Sequence, residues 1–190
     1  MAPPPAEWDG KWTVVHTWFA GTRRLARDRV NAILRADGFA GLAPGLSIHP
    51  RHRIDRIHSA VASEGDAARL LVLRGDRIGT MSGGEFARAH WPLDHLAEGY
   101  RRFVRRYGQI GVVDLDGFEA FAIRFALVFD YLELAWADPE LPERLLPAGW
   151  PGLEARRLAR RLYQALLPAS IRYAGGIMAR VLPGARAADR

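Results

Sequence analysis

Residues 11–20, Lys-Trp-Thr-Val-Val-His-Thr-Trp-Phe-Ala, are rich in β-branched and aromatic types and predict a strand. One face carries Trp12, Val14, His16 and Trp18; the other carries Val15 and Phe19 with Thr13 and Thr17. Both faces are apolar enough to need cover. The period then changes to that of a helix. Thr22 is placed to cap a segment running to about Asp37, with Leu25, Ala26, Val30, Ile33 and Leu34 on one stripe and Gly38 as its terminator. Residues 39–50 predict a turn and then a short strand, 53–64 a weaker helix with Ile54, Ile57, Ala60 and Val61, and 68–74 another strand. One further strand falls near 77–81 or 44–49. The expected class is α+β, opening with a ferredoxin-like split βαβ unit.

The pattern is helical after Gly83-Gly84. Over 92–107, Leu93, Leu96, Ala97, Tyr100, Phe103, Val104 and Tyr107 form an i, i+3, i+4, i+7 stripe. Residues 115–136 are apolar nearly all round, which predicts a buried central helix stopped by Asp138-Pro139. A loop with Pro142, Pro147 and Pro151 precedes two more helices, at 152–167 and 169–182. These periods imply two domains, a sheet domain over 8–83 and a helical domain over 84–183. Residues 2–7 read as an extended lead-in and 183–190 as a frayed tail.

Composition narrows the chemistry. The 190 residues include no cysteine, which excludes disulfides, zinc ribbons and thiol catalysis. Lys11 is the only lysine beside 26 arginines, and the net charge is +6, which favours an anionic partner. The start, Met-Ala-Pro-Pro-Pro-Ala-Glu, has no basic or apolar leader region, so a cytoplasmic protein is expected. The longest apolar stretch, 118–136, carries Glu119, Arg124, Asp130 and Glu133, too many charges for a membrane span.

Enzymatic signals are weak. The six histidines lack H-E-x-x-H or facial-triad spacing and read as surface or interface residues. Ser59, Ser63, Ser82 and Ser170 stand outside any nucleophile frame. Asp114 with Asp116 reads as a helix cap pair. Asp138 with Glu140 lies in a proline-rich loop. The glycines at 74–79 and 82–84 fit turns rather than phosphate loops. No catalytic residue, metal or cofactor is expected.

Arginines are the distinctive charged feature. Arg101, Arg102, Arg105 and Arg106 share the polar side of one helix; Arg156, Arg157, Arg160 and Arg161 share that of another. Each face is either a solvated surface or an anion site, for a nucleic-acid backbone or a polyphosphate such as coenzyme A. Arg124 lies within an almost wholly apolar segment, where a guanidinium needs a partner. Asp130, Glu119 or the Asp138 loop could provide it, or a ligand carboxylate or phosphate. Arg124, Tyr131, Trp91, Asp138 and Trp150 are the polar or amphipathic residues near the expected domain junction, and they form the candidate effector site.

Several ordered segments resemble a known family. They are Trp8-Asp9-Gly10-Lys11-Trp12, Arg29 through Gly38-Phe39, Leu42-Ala43-Pro44-Gly45-Leu46, and Ile48-His49-Pro50-Arg51. Trp91-Pro92-Leu93 and Tyr100-Arg101-Arg102-Phe103 follow. The most specific series is Asp138-Pro139-Glu140-Leu141-Pro142-Glu143, Leu145-Leu146-Pro147 and Trp150-Pro151-Gly152. The chain resembles the PaaX-type (phenylacetic acid catabolism repressor) regulators along nearly its whole length. The resemblance implies a Cas2-like ferredoxin domain and a helical C-terminal domain, with a winged helix-turn-helix preceding them in the family. The chain begins about where the linker to that DNA-reading module would join. It also implies a homodimeric repressor, released from DNA by an aryl-CoA thioester such as phenylacetyl-CoA. Departures are Ser47, where the family often has an aromatic, and Phe129, Leu132 and Glu133, where it commonly has a histidine and arginines. The metal-binding aspartate that Cas2 nucleases carry at the end of the first strand is replaced here by Trp18-Phe19-Ala20-Gly21, so nuclease activity is not expected.

Overall fold

The computed structural model describes residues 7–21, 23–65, 68–76, 79–112 and 115–181. Thr22, Asp114, residues 77 and 78 of the optional strand, the 2–6 lead-in and the tail from 182 lie outside them, so the readings made there have no structural counterpart. The elements in chain order are β1 (Trp12–Phe19), α1 (Arg24–Ala36), β2 (Ala40–Ala43), β3 (Leu46–His49), α2 (Asp55–Ala62), β4 (Ala68–Gly75), α3 (Gly83–His90), α4 (Leu93–Tyr107), α5 (Gly117–Ala137) and α6 (Gly152–Val181). The chain forms two compact units, Met1–Asp94 with Asp138–Gly149 and His95–Ala137 with Trp150–Arg190. The helices after residue 84 therefore do not all fall on one side of the division: α3 and the Asp138–Gly149 segment belong with the sheet.

In the first unit four antiparallel strands stand in the order β2-β3-β1-β4. This is the βαββαβ ferredoxin-like arrangement. The extra strand is β2, which forms a hairpin with β3 where only a turn and one strand were expected. Four residues, Ala-Gly-Leu-Ala, are too short and too small to display alternation. Gly45 closes the hairpin at φ +75°, and a Cβ there would stand 2.4 Å from the Thr17 carbonyl oxygen.

Val15 packs with Val30, Leu34, Phe39, Ile57, Val61 and Ala68, so α1 and α2 cover that face of the sheet. Leu25, expected on the α1 stripe, is instead 86% exposed. Gly38, at φ +83°, follows the last turn of α1 as expected. The opposite face is covered only at one end. There Trp12 is buried against Phe86 at 5.3 Å edge-on and stacks on Trp91 at 6.3 Å. Helix α3 was not separated by periodicity, yet Ser82 and Glu85 form a reciprocal capping box that starts it.

In the second unit Leu96, Tyr100, Phe103 and Tyr107 of α4 pack with Ala120 and Leu127 of α5 and Leu158, Leu162 and Leu166 of α6. Asp116 and Glu119 cap α5 reciprocally, with hydrogen bonds of 2.8 and 3.0 Å. Two expectations are corrected. Helix α5 is not buried all round: Ala120 and Leu127 are its buried residues, and one side stands in solvent. The two helices expected after Pro151 are one, with Pro168 inside it. Leu162, Leu166 and Ser170 are buried on both sides of the proline, so packing carries the helix through a residue that opposes it.

Candidate functional site

Several of the family-like segments of the first unit, those holding Gly38, His49 to Arg51, Trp91 and Pro139, meet around His49. It ends β3, is fully buried, and has both ring nitrogens engaged. The Arg51 N–H donates to Nδ1 at 2.9 Å, which leaves Nε2–H to donate to the Pro139 carbonyl at 3.2 Å. Burial holds this imidazole well below its usual range, at about 4. It is thus a neutral structural donor, not the surface or interface histidine expected. Gly38 lies against the same carbonyl, and a Cβ there would meet Pro139 O at 2.9 Å and His49 Nε2 at 3.3 Å. The Trp91 indole N–H donates to the Gly38 carbonyl at 2.8 Å.

The following residues complete this node. Asp138 accepts from the Glu140 N–H at 2.7 Å, stabilising Glu140 at φ +53°. Arg51 Nε donates to the Glu140 carbonyl at 3.3 Å, and Arg53 pairs with the Glu140 carboxylate. Two of the predicted site residues, Trp91 and Asp138, are therefore brought together here, as braces of the Asp138–Gly149 segment. The chemistry of this node is positional. Its histidine is neutral, and its carbonyls and carboxylates accept hydrogen bonds from named neighbours. Among the described residues, no three His, Asp or Glu side chains group closely enough to hold a metal ion.

The other three predicted residues belong to the second unit. Tyr131 meets Phe103 edge-on at 5.7 Å and accepts a hydrogen bond from Arg156 Nε at 3.4 Å. Trp150 meets Tyr100 edge-on at 6.0 Å. Arg124 departs from expectation. Its guanidinium lies 4.3 Å from the Tyr163 ring centre, and its buried Nε has no hydrogen-bond partner among the described residues. The carboxylates expected to pair with it are engaged elsewhere: Asp130 accepts from Tyr107 Oη at 2.7 Å and pairs with Arg106 at 3.0 Å, Glu119 accepts from the Asp116 N–H, and Asp138 accepts from the Glu140 N–H. Burial and Asp130 together push the Tyr107 hydroxyl up to about 12.

The arginine face of α4 is partly neutralised. Arg105 and Arg101 lie 2.9 and 3.6 Å from Glu98, whose carboxyl is held below its usual range chiefly by the Arg105 hydrogen bond. Arg106 is taken by Asp130, and Arg102 is exposed. Beyond the Trp12 cluster, the open face of the sheet forms an apolar depression lined by Val14, His16, Ala43, Pro44, Leu46, Leu71 and Leu73, with Trp18 exposed on the same face. Among the described residues no helix is long and apolar enough to cross a membrane.

Comparison with known proteins gives these observations a family. Residues 5–87 match the PaaX protein central Cas2-like domain, and residues 91–176 match the PaaX-like protein C-terminal domain. The transcriptional repressor PaaX of Escherichia coli (strain K12) is 28% identical over 181 residues, which cover 90% of this chain and 56% of that protein. The chain thus spans little more than half the length of this relative. The structure of the uncharacterized protein Rv0674 from Mycobacterium tuberculosis shares the fold, with a TM-score of 0.60 at 21% identity over 86% of this chain and 63% of that one. The chain belongs to the PaaX-type family of transcriptional regulators, of which it carries the central Cas2-like domain and the C-terminal domain.

Proposed function

We propose that the chain is the regulatory core of a cytoplasmic PaaX-type repressor that dimerises, binds an aryl-CoA thioester such as phenylacetyl-CoA, and makes or breaks no bonds. DNA is read by a winged helix-turn-helix, and the thioester releases it. The observation that carries this reading is Arg124. Its buried Nε lacks an acceptor, and its guanidinium rests on a ring face with no carboxylate partner among the described residues. A planar fork in that state supports recognition of a phosphate or carbonyl oxygen. Tyr131 and Trp150 of the same unit supply amphipathic contacts, and Arg101, Arg102, Arg105 and Arg106 an anion-binding face on which Arg102 contributes most. Trp91 and Asp138 enter the effector response by holding the Asp138–Gly149 segment in place.

Dimerisation is supported by apolar surface that folding leaves open in both units, on the sheet beside Trp18, Leu71 and Leu73 and along α5.

Calorimetric titration with phenylacetyl-CoA tests the reading, with coenzyme A alone as the control. Arg124→Ala is expected to weaken thioester binding by about tenfold or more while moving the melting temperature little, since one charge-assisted hydrogen bond is worth roughly 1.5–3 kcal/mol. The reverse pattern, or no binding by the unaltered chain, overturns it. The competing reading is a nucleic-acid module that uses the α4 arginines directly. Filter binding to DNA over a salt series separates the two: tight, steeply salt-dependent binding by this chain alone favours the module.

A further inference from the structure

Helices α5 and α6 are joined along one seam by two arginine–tyrosine pairs of opposite order. Tyr131 of α5 accepts a hydrogen bond from Arg156 Nε of α6 at 3.4 Å. Arg124 of α5 lies over Tyr163 of α6, its guanidinium carbon 4.3 Å from the ring centre. Seven residues separate the two pairs on each helix, about 10.5 Å at 1.5 Å per residue, so the helices run antiparallel in one register. Arg160 follows Arg156 by four residues and precedes Tyr163 by three, which sets it on the same side of α6 between the two pairs. Three guanidinium groups thus line about two turns of the seam.

The carboxylates of these helices lie elsewhere on them. At about 100° per residue, Glu119, Asp130 and Glu133 stand about 120° or more around α5 from Arg124. Helix α6 carries six arginines and a single acid, Glu154, which stands about 120° around it from Arg160. Arg156 and Arg160 are like charges at i and i+4, a spacing that destabilises a helix and that a bound anion relieves. A second observation points the same way. Arg124 Nε is buried without an acceptor, and Arg124 makes no ion pair among the described residues. Tyr163 stays 39% exposed beside it, so the seam is open to a ligand.

Charge and shape select that ligand. A lone carboxylate fills one guanidinium fork and leaves its neighbours facing each other. Two linked phosphate groups present adjacent anionic oxygens to forks from both helices. A nucleic-acid backbone is met by exposed side chains along an extended track. Here Arg124 is half-buried against a ring, and the seam is only two turns long. We infer that the α5–α6 seam is a binding site for an organic diphosphate, with Arg124 and Arg160 gripping the two phosphate groups from opposite helices and Arg156 closing the Tyr131 end. This rests on the reading that Arg124 meets an anionic ligand, and it adds Arg160, Tyr163 and Arg156 and names the group they hold.

Calorimetric titration of the full chain with ADP and with inorganic pyrophosphate tests the site. Both are expected to bind, and AMP, with one phosphate, about tenfold more weakly or worse. Arg160→Ala and Arg124→Lys, the latter keeping the charge and losing the fork, are each expected to weaken ADP binding about fivefold or more with unchanged far-ultraviolet circular dichroism. Arg161→Ala, about 100° around α6 from Arg160, is expected to leave it unchanged. Phenylacetyl-CoA distinguishes the two sources of a diphosphate. Displacement of ADP by the thioester, with Arg160→Ala weakening both, assigns the seam to the diphosphate of the thioester. Simultaneous binding, with only ADP responding to Arg160→Ala, assigns it to a free nucleoside diphosphate; either result supports the site. No binding of ADP or pyrophosphate at millimolar concentration, or equal losses in Arg160→Ala and Arg161→Ala, overturns it. Phenylacetyl-CoA binding that needs Arg124 but not Arg160, with no ADP bound, overturns the diphosphate site and leaves the effector reading intact. ADP binding that needs Arg160, with no affinity for phenylacetyl-CoA, supports the site and overturns the effector reading instead.

Discussion

The imidazole of His49 donates a hydrogen bond to the carbonyl of Pro139 at 3.2 Å, across a sequence separation of 90 residues. This bond ties the end of β3 to a proline-rich segment that lies beyond α5 in sequence, and it needs a proton on Nε2, where the neutral ring carries it because Nδ1 accepts from the Arg51 N–H. The Asp138–Gly149 segment is therefore held to the sheet unit by a buried, uncharged donor as well as by Arg51 and Arg53 at Glu140.

A pH dependence follows. The unfolded chain binds a proton at His49 near pH 6.5, whereas the folded chain resists until about pH 4 because the ring is buried. Between those values the unfolded state holds more protons, so stability falls as the pH drops through this window and levels off below it. The loss is on the order of 3 kcal/mol. Urea unfolding from pH 7 to 4 measures it, and His49→Gln is expected to lower stability at pH 7 and flatten the slope in that window.

Gly38→Ala is expected to destabilise by roughly 2 kcal/mol or more. The left-handed backbone costs alanine about 1 kcal/mol, and the added Cβ meets Pro139 O at 2.9 Å, an atom held by the His49 bond. Gly21→Ala is the control: Gly21 has φ +67° with nothing within 4 Å of a Cβ, so only the backbone cost applies. Equal losses at the two sites would remove the Pro139 contact from the account.

Tyr107→Phe is expected to cost about 1–2 kcal/mol. The hydroxyl donates to Asp130 at 2.7 Å from a largely buried ring, and its loss leaves that carboxylate to Arg106 alone. Thermal melts of Tyr107→Phe, Asp130→Asn and the double variant form a cycle, and a coupling near zero would make the hydrogen bond incidental.

Pro168→Ala is expected to raise stability by about 1 kcal/mol. It restores an N–H donor inside α6 at an exposed position and removes the helix penalty of proline, against a smaller gain in unfolded-chain freedom. A lower melting temperature would mean that the local helix geometry around the proline is required for the packing of Leu166 and Ser170.

Much of the fold was legible in periodicity. The alternation of Thr13, Val15 and Thr17 against Val14, His16 and Trp18 assigned the two faces of β1 correctly, and the α4 stripe placed every buried hydrophobic side chain of that helix. Legibility ended where an element was too short to show a period, as in β2, or where pattern and environment part. The apolar circumference of α5 has the composition of a buried helix, but among the described residues of the second unit only α4 and α6 stand beside it, too few to surround it. Pro168 signals a stop, and the continuous buried stripe of α6 overrides it.

The candidate site divides in the same way. The proline-rich motif, the His49-Pro50-Arg51 turn and Gly38 were each visible as residues, but their convergence was not, because hydrogen bonds across 90 residues leave no local pattern. What the sequence determined alone was the long periodic elements and the family, since these depend on local spacing and residue type. Tertiary structure decided which charges find partners and which apolar faces stay open. It gave Asp130 to Tyr107 and Arg106, left Arg124 on a ring face, and turned six apolar side chains of α5 outward. Partner choice and burial are properties of how elements pack, and packing is fixed by the sum of contacts across the chain rather than by any one segment of it.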